Sequence, residues 1–547
     1  MLTLVACSEA PVQQDTPDAG VTVDSGSGSG DPDAAVPEDP GSFEVNLQRS
    51  QHPLVTGTTT SLMVNVTRHG AFAGAVTLEA AGLPAGVVAP PVTVAAGETT
   101  GTLELMTATT AAHSLPTTVT IKGTADTLTS IATATMTVRG LPGSIDQTFA
   151  GGKKLVPMGS ASDTAYATAV QPDGKIIVAG FASAVHSGDF AVTRLDRDGN
   201  VDTTFGVNGK VFTDFGSLDS AYAVAVQPDG KIVVAGMATM PGSSFDFAVA
   251  RYNSDGSPDT TFSGDGKATV AVGGGLDVAY AVIVQANGRI VLGGETNRAT
   301  IPYDTDFALV GFLPDGSLDT TFGAQGIAIT PVRAGTGRDV IFALAVARDA
   351  SNPGDPVGNE KFYAVGGDND FAVARYSANG QLDTTFGMQG LVTGVFQSTV
   401  GAARAIAVTP TGELFVAGHI NHDFAAVKLS PSGAVAMPFG RSIAAVTSTN
   451  SDEAYGIVLD GNKPILAGWV YEGASQSPNF ALVRLNTDGT LDNSFGTGGR
   501  VVTEMAQAGQ PDQANAIALQ TDSQIPAVRA IVVGSADNDF AIARYWQ

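Results

Sequence analysis

Three times along the chain, oxygen-bearing side chains crowd into seven residues: Asp196-x-Asp198-Gly199…Asp202, Asn253-x-Asp255-Gly256…Asp259 and Asn486-x-Asp488-Gly489…Asp492. Sets of that kind can ligate a hard cation such as calcium. The later bidentate glutamate of a helix-flanked calcium loop is missing. An Asp-Gly pair also closes a tight turn by itself, its carboxylate accepting a backbone N–H, so turn formation is the simpler account and no metal is assigned. A second candidate is GHINHD, where His419, His422 and Asp423 bring metal-ligand types close together. Asp423, however, is an acid that recurs throughout the chain, and no other segment supplies a matching histidine; a surface loop is expected. The recurrent cations Arg194, Arg251, Arg375, Lys428, Arg484 and Arg544 could ring a tunnel and hold an anion, yet Gly311 stands in that register once. Pairing with a nearby carboxylate explains the repetition without a ligand. No Ser-His-Asp, Cys-His or Gly-x-Ser-x-Gly arrangement is present, and carboxylate pairs are too numerous to single out a glycosidase dyad. No catalytic residue and no cofactor is expected.

These residues sit in a repeat, which decides the fold. Aligned on Asp-x-x-Phe, the copies fall at Asp146, Asp202, Asp259, Asp319, Asp383, Ala436 and Asp492, with spacings of 56, 57, 60, 64, 53 and 56 residues. Each copy holds four strand candidates, as in GKVFTDF, AYAVAVQ, KIVVAG and FAVARY. Four antiparallel strands in about 55 residues match a propeller blade rather than a solenoid coil. Strands apolar on nearly every residue imply sheets covered on both faces, as stacked blades provide. An Asp-Phe pair opens the FAVARY strand at Asp189, Asp246, Asp306, Asp370, Asp423 and Asp539, with Asn479 in the sixth copy; the Phe is expected between blades and the acid in a turn. The last copy ends at ARYWQ without its DGSLDTTF, while GSIDQTF at 143–149 precedes the first copy. The fragments complete one another, so docking the first elements on the last blade would close a ring and remove two sheet edges. The expected fold is all-β, a seven-bladed β-propeller over 142–547.

Ahead of it, residues 43–140 alternate with period two in some seven short strands (FEVNL, SLMVNVTR, GAVTLEA and onward), the pattern of a β-sandwich. Residues 8–42, including SGSGSGDPDAAVPEDPG, contain no Lys, Arg or aromatic residue. Such composition cannot offset the entropy of ordering, and a disordered acidic tether of roughly 30 Å reach is expected. The formal charge of −25, from 53 acidic and 28 basic residues, repels phosphate backbones and argues against nucleic acid. No run of 18 apolar residues could span a membrane as a helix.

Three resemblances follow from quoted motifs. QPDGKIIVAG at 171–180, QPDGKIVVAG at 227–236, DFAVARY and DGSLDTTFG closely resemble the delta-60 repeat of bacterial exported proteins, which implies a propeller-like array but no catalytic residues. The 43–140 segment, with its GLPAGV line, resembles bacterial immunoglobulin-like domains, implying a spacer. Leu4-Val5-Ala6-Cys7, within residues 1–7, resembles the lipobox of bacterial lipoproteins and implies acylation at Cys7, anchoring by several acyl chains. Only six residues precede Cys7, too few for a full signal, so a start further upstream is expected. Ser8 favours, by the same resemblance, the outer membrane.

The QPDGK turn and the Asp-x-x-Phe turn are near constant, so one face of the ring is uniform. The loops on the other face vary, and the longest carry His186, Phe245, Tyr303, Trp469 and Tyr471. Aromatic, adaptable loops suit recognition of protein or glycan. The expected function is a lipid-anchored envelope scaffold that binds rather than transforms. Two alternatives stand beside it: a hydrolase or lyase acting on polysaccharide or ester, and a passive adhesive surface protein.

Overall fold

The structure, a computed structural model, describes residues 41–159, 161–183, 188–240, 244–297, 304–333, 337–347, 360–367, 369–398, 400–446, 451–471, 477–506, 510–521 and 528–547. Within them every regular element is a strand. The first two sheets face each other across one core. The four-stranded sheet carries Ser42–Leu47, Thr59–His69, Thr100–Thr107 and Val87–Val88, and the five-stranded sheet carries Gln51–Val55, Leu128–Arg139, Thr117–Ala125, Val76–Ala81 and Val92–Val94. Alternation does this: in Thr59–His69, Leu62, Val64 and Val66 point inward while Met63 stays exposed.

Seven four-stranded antiparallel sheets follow. The second runs Asp219–Val226, Ile232–Ala238, Asp246–Tyr252, Lys267–Val270, from inner to outer strand. Its first turn is set by PDG: Gly230 sits at φ 86° and donates to Gln227 O at 2.9 Å, while Asp229 Oδ1 accepts the Lys231 amide at 3.1 Å. The sheet therefore begins one strand later than the copy read from the sequence. GKVF pairs back onto the preceding strand, Lys210–Thr213 against Asp189–Leu195, because the Asp-x-x-Phe segment is itself a compact connection. In it Phe262 N donates to Asp259 O and Gly266 N to Phe262 O.

The seventh sheet is completed from the front of the region, Lys153–Val156 pairing with Asp539–Trp546. The inner strands of neighbouring sheets lie against one another all the way round. So do the cores: Phe190 and Val192 pack with Ile232 and Val234, and the series runs on until Ile531 and Val533 pack with Ile176 and Val178. The Asp-Phe phenylalanines, such as Phe190, Phe247 and Phe307, are fully buried in these inter-sheet layers. This cyclic packing of four-stranded sheets is consistent with a β-propeller.

One clamp recurs at the junctions. Arg251 Nε donates to Asp259 Oδ2 at 2.7 Å, Lys231 Nζ reaches the same oxygen at 2.8 Å, and Arg251 Nη1 crosses to Pro314 O of the next sheet at 2.5 Å. The guanidinium also lies over the Phe262 ring, 4.7 Å from its centroid. Arg194 with Asp202, Arg375 with Asp383, Arg484 with Asp492 and Arg544 with Asp146 repeat the pair at 2.8–2.9 Å. Where Gly311 removes the cation, Arg289 pairs with Asp319 from the neighbouring strand at 2.5 Å. Where Ala436 removes the acid, Lys428 turns to Glu413 at 2.9 Å. The recurrent cations are structural partners of carboxylates. Burial opposes ionisation of Asp259, but hydrogen bonds from Lys231 and Thr261 and the charge of Arg251 outweigh it and hold the carboxyl well below the usual range.

The N-terminal sheets touch the seventh sheet through His113, whose Nδ1 lies 3.2 Å from both Trp546 Nε1 and the Gln147 amide. Burial lowers the His113 pKa, partly offset by Asp146, which favours the neutral ring whose nitrogen can accept.

Replacing Asp259 by Ala leaves a buried Arg251 without its counter-ion. Urea unfolding should show a loss of roughly 3–5 kcal/mol, whereas Asp265→Ala, on an exposed turn, should stay within roughly 0.5 kcal/mol.

Candidate functional site

Each inner strand carries a bulge at the same register. Pairing with the second strand shifts between Ala165 and Ala167, Ala221 and Ala223, Ala279 and Ala281, Ile341 and Ala343, Ala403 and Ala405, Ala454 and Gly456, and Ala514 and Ala516. A bulge adds one residue and re-aims its side chain. The extra residues are Tyr166, Tyr222, Tyr280, Phe342, Arg404, Tyr455 and Asn515, all half-buried.

The second strand makes room with glycine. At Gly236 an added Cβ would meet Ser220 O at 1.9 Å, and at Gly418 it would meet Ala402 O at 1.9 Å; the equivalent glycines show the same clash. Neither has a positive φ, so the requirement is close approach of backbone, not a left-handed turn.

The bulged residues touch in sequence around the axis. Ring centroids lie 5.0 Å apart for Tyr166–Tyr222, 5.1 Å for Tyr222–Tyr280 and 5.5 Å for Tyr280–Phe342. The Arg404 guanidinium bridges onward, 3.9 Å from the Phe342 centroid and 5.1 Å from that of Tyr455. Asn515 Nδ2 donates to Ala165 O at 2.9 Å, back beside Tyr166. Polar groups border this ring. Tyr280 OH donates to Glu295 Oε1 at 3.1 Å, and Arg338 holds both Glu295 oxygens at 2.6 and 3.0 Å. Tyr455 OH donates to Glu453 Oε2 at 2.9 Å, with His419 and His422 at 3.8 and 3.9 Å from the same carboxylate. Burial pushes the Tyr455 hydroxyl up to about 12, with Arg404 opposing, and raises Tyr166, Tyr222 and Tyr280. All four phenols stay neutral donors at physiological pH. The arrangement offers stacking faces, hydroxyls, an amide and one guanidinium.

Of the residues singled out in the sequence, Cys7, His186 and Tyr303 lie outside the described residues. Trp469 and Tyr471 come together at 5.3 Å, and Trp469 lies 6.5 Å from Tyr455, at the edge of the ring. Phe245 is placed between the second and third sheets, bridged to Leu276 and accepting the Asp277 amide at its carbonyl; no ring contact among the described residues joins it to Trp469 and Tyr471. Asp423 and His422 do not converge on His419 alone; both histidines turn toward Glu453. The Asp-Gly carboxylates serve turns: Asp196 Oδ1 accepts the Asp198 and Asn200 amides, Asp255 and Asp488 accept from Ser257 and Thr490, and Asp202 is occupied by Lys175 and Arg194. Sequence reasoning missed the ring; the signal it left is a Tyr, Arg or Asn flanked by Ala or Gly near the start of six inner strands, with Phe342 after Ile341 in the other.

Three carboxylates do lie close enough to share a cation: Asp189, Asp214 and Asp219. Burial pushes Asp219 up to about 6, the Phe215 amide opposing and the charges of Asp214 and Asp189 reinforcing.

Five segments, 171–205, 227–262, 285–322, 361–386 and 462–495, match the family model described as a domain of unknown function (DUF5122) beta-propeller. These segments lie in the cyclically packed four-stranded sheets, an arrangement consistent with a β-propeller. A search of curated proteins gives no match. Among solved structures, Sqt1 from Chaetomium thermophilum is 13% identical over 72% of this chain and 100% of its own, with a TM-score of 0.37. The S. cerevisiae core factor is 10% identical over 72% and 60%, at 0.36. A DUF4784 family protein from Bacteroides caccae is 9% identical over 74% and 96%, at 0.26. None of these likenesses carries a functional argument.

Two outcomes test the site's construction. Gly418→Ala should cost about 1–3 kcal/mol in thermal unfolding, since the propeller has no slack opposite the Arg404 bulge. For Asp219 the folded pKa is raised to about 6, so its contribution to stability is lost as pH rises from about 4 to about 6 and the full penalty stands above that. Asp219→Asn should therefore raise Tm most at pH 7.5, with a gain that shrinks steadily as pH falls from 6 toward 4, while below about pH 4 wild type loses stability as carboxylates with lowered pKa, Asp259 among them, take up protons.

Proposed function

We propose that the protein is a non-catalytic, lipid-anchored cell-envelope scaffold whose seven-bladed propeller binds a protein or glycan at the axial ring. The observation that carries this reading is the ring itself. Six successive inner strands present Tyr166, Tyr222, Tyr280, Phe342, Arg404 and Tyr455 in unbroken contact, and large rigid aromatic groups with arginine are the residue types that dominate recognition energy. The count of seven sheets, the last completed by Lys153–Val156, supports seven blades. The two N-terminal sheets support an immunoglobulin-like spacer, and the acidic segment 8–42 supports a tether to an outer-membrane anchor at Cys7.

The test is ligand-dependent thermal shift. Polysaccharide and peptide fractions of a bacterial envelope are titrated into the full chain. At one hundredfold excess over Kd, binding adds about 2.7 kcal/mol, a rise of several degrees. The shift should vanish in Tyr222→Ala/Tyr280→Ala. A shift that survives the double substitution would remove the ring from the binding role, and no shift with any fraction would favour a passive surface protein. The anchor is checked separately by intact mass: acyl mass on the native chain, lost in Cys7→Ala.

A further inference from the structure

The geometry points to the ring as a site for a saccharide bearing a carboxylate, with Arg404 as the residue that takes the charge. This rests on the reading of the ring as a binding site and specifies its ligand.

Arg404 stands apart from the arginines of the recurrent clamp. Arg194, Arg251, Arg375, Arg484 and Arg544 each have a carboxylate at 2.7–2.9 Å. Arg404 has only the two aromatic faces of Phe342 and Tyr455, and among the described residues no carboxylate or hydrogen-bond acceptor engages it. Its Nε is buried without a partner. A guanidinium carries five donors in a planar fork that matches a carboxylate, and a buried donor left without an acceptor costs free energy. In a chain of net charge −25, where acids outnumber bases nearly two to one, a guanidinium left without an acid marks an anion's place.

The neighbours define what carries that anion. The ring carries a single such cation beside the carboxylates of Glu295 and Glu453, which would repel a polyphosphate or a polyanionic surface. One charged group per bound unit is what the field tolerates. A pyranose has an apolar C–H face that stacks on aromatic rings and a rim of hydroxyls that both donate and accept. Tyr166, Tyr222 and Tyr280 supply faces and phenol groups; Glu453, steadied by Tyr455 at 2.9 Å, supplies an acceptor for vicinal hydroxyls. A uronic acid combines these features with one carboxylate for Arg404.

The experiment is calorimetric titration of the full chain with uronic-acid trimers of differing epimer and linkage, with the matching neutral trimers and inorganic phosphate as controls. The expected result is binding of at least one uronate trimer, about tenfold or more weaker in Arg404→Met, intermediate in Arg404→Lys, and lost in Tyr222→Ala, with all three variants still unfolding cooperatively above the titration temperature. Failure of every uronate trimer to bind overturns the proposal. Equal binding of a neutral trimer that is lost in Tyr222→Ala but not in Arg404→Met overturns the charged group while leaving the ring as a binding site. Binding unaffected by either substitution overturns both, and phosphate competing as well as the trimer would reduce the site to an anion site without sugar recognition.

Discussion

The junctions of this molecule rest on a buried cation held between a carboxylate, a phenylalanine face and the next sheet's backbone. Arg251 shows all three contacts: Asp259 on its own sheet, the Phe262 ring beneath it and Pro314 O across the junction. Apolar packing alone would let neighbouring sheets slide, since Val, Ala and Ile side chains pack nearly as well in several registers. A directed, charge-assisted bond admits one register. The substitutions within the repeat make the same point. Arg289 takes over where Gly311 leaves a gap, and Glu413 appears where Ala436 has removed the acid. The ion pair has moved, and the junction has been kept.

With the sheets held by their outer connections, the inner strands are free to depart from regular pairing. Every one of them carries a bulge, and every bulge faces a glycine whose Cβ would collide with the displaced carbonyl. The device is structural in origin, because narrow spacing at the axis leaves little room for a full side chain on alternate residues. Its by-product is functional. One residue per sheet is turned toward its neighbours near the axis, and its identity is not constrained by the core. Tyr, Phe, Arg and Asn occupy positions that Ala could fill, so the composition of the ring is where this chain can acquire specificity.

Buried acids show a balance of opposite kind at the same junctions. Asp259 is held ionised by its cations, while Asp219, buried beside Asp189 and Asp214, is pushed toward the neutral form. Partners make the distinction on top of burial: Asp259 faces Arg251 and Lys231, whereas Asp219 faces Asp189 and Asp214.

Strand content, the repeat and its period, and the place where the first elements must dock to complete the last sheet were all readable from the order of residues. Those follow from local rules: apolar runs bounded by PDG turns, Asp-Phe and Asp-x-x-Phe at fixed offsets, and a truncated final copy. Residue spacing also pointed correctly to carboxylate partners for the recurrent cations, since Arg and Asp lie eight residues apart across one connection. The sequence was misleading about where a sheet begins, because GKVF is adjacent in the chain to one inner strand yet pairs with the third strand before it. The axial ring was decided only by tertiary structure. In the sequence Tyr222 and Tyr280 are separate residues in strands apolar on nearly every position. A bulge is a mismatch between two strands, and a ring is a relation among seven, so neither exists until the sheets close around a common axis.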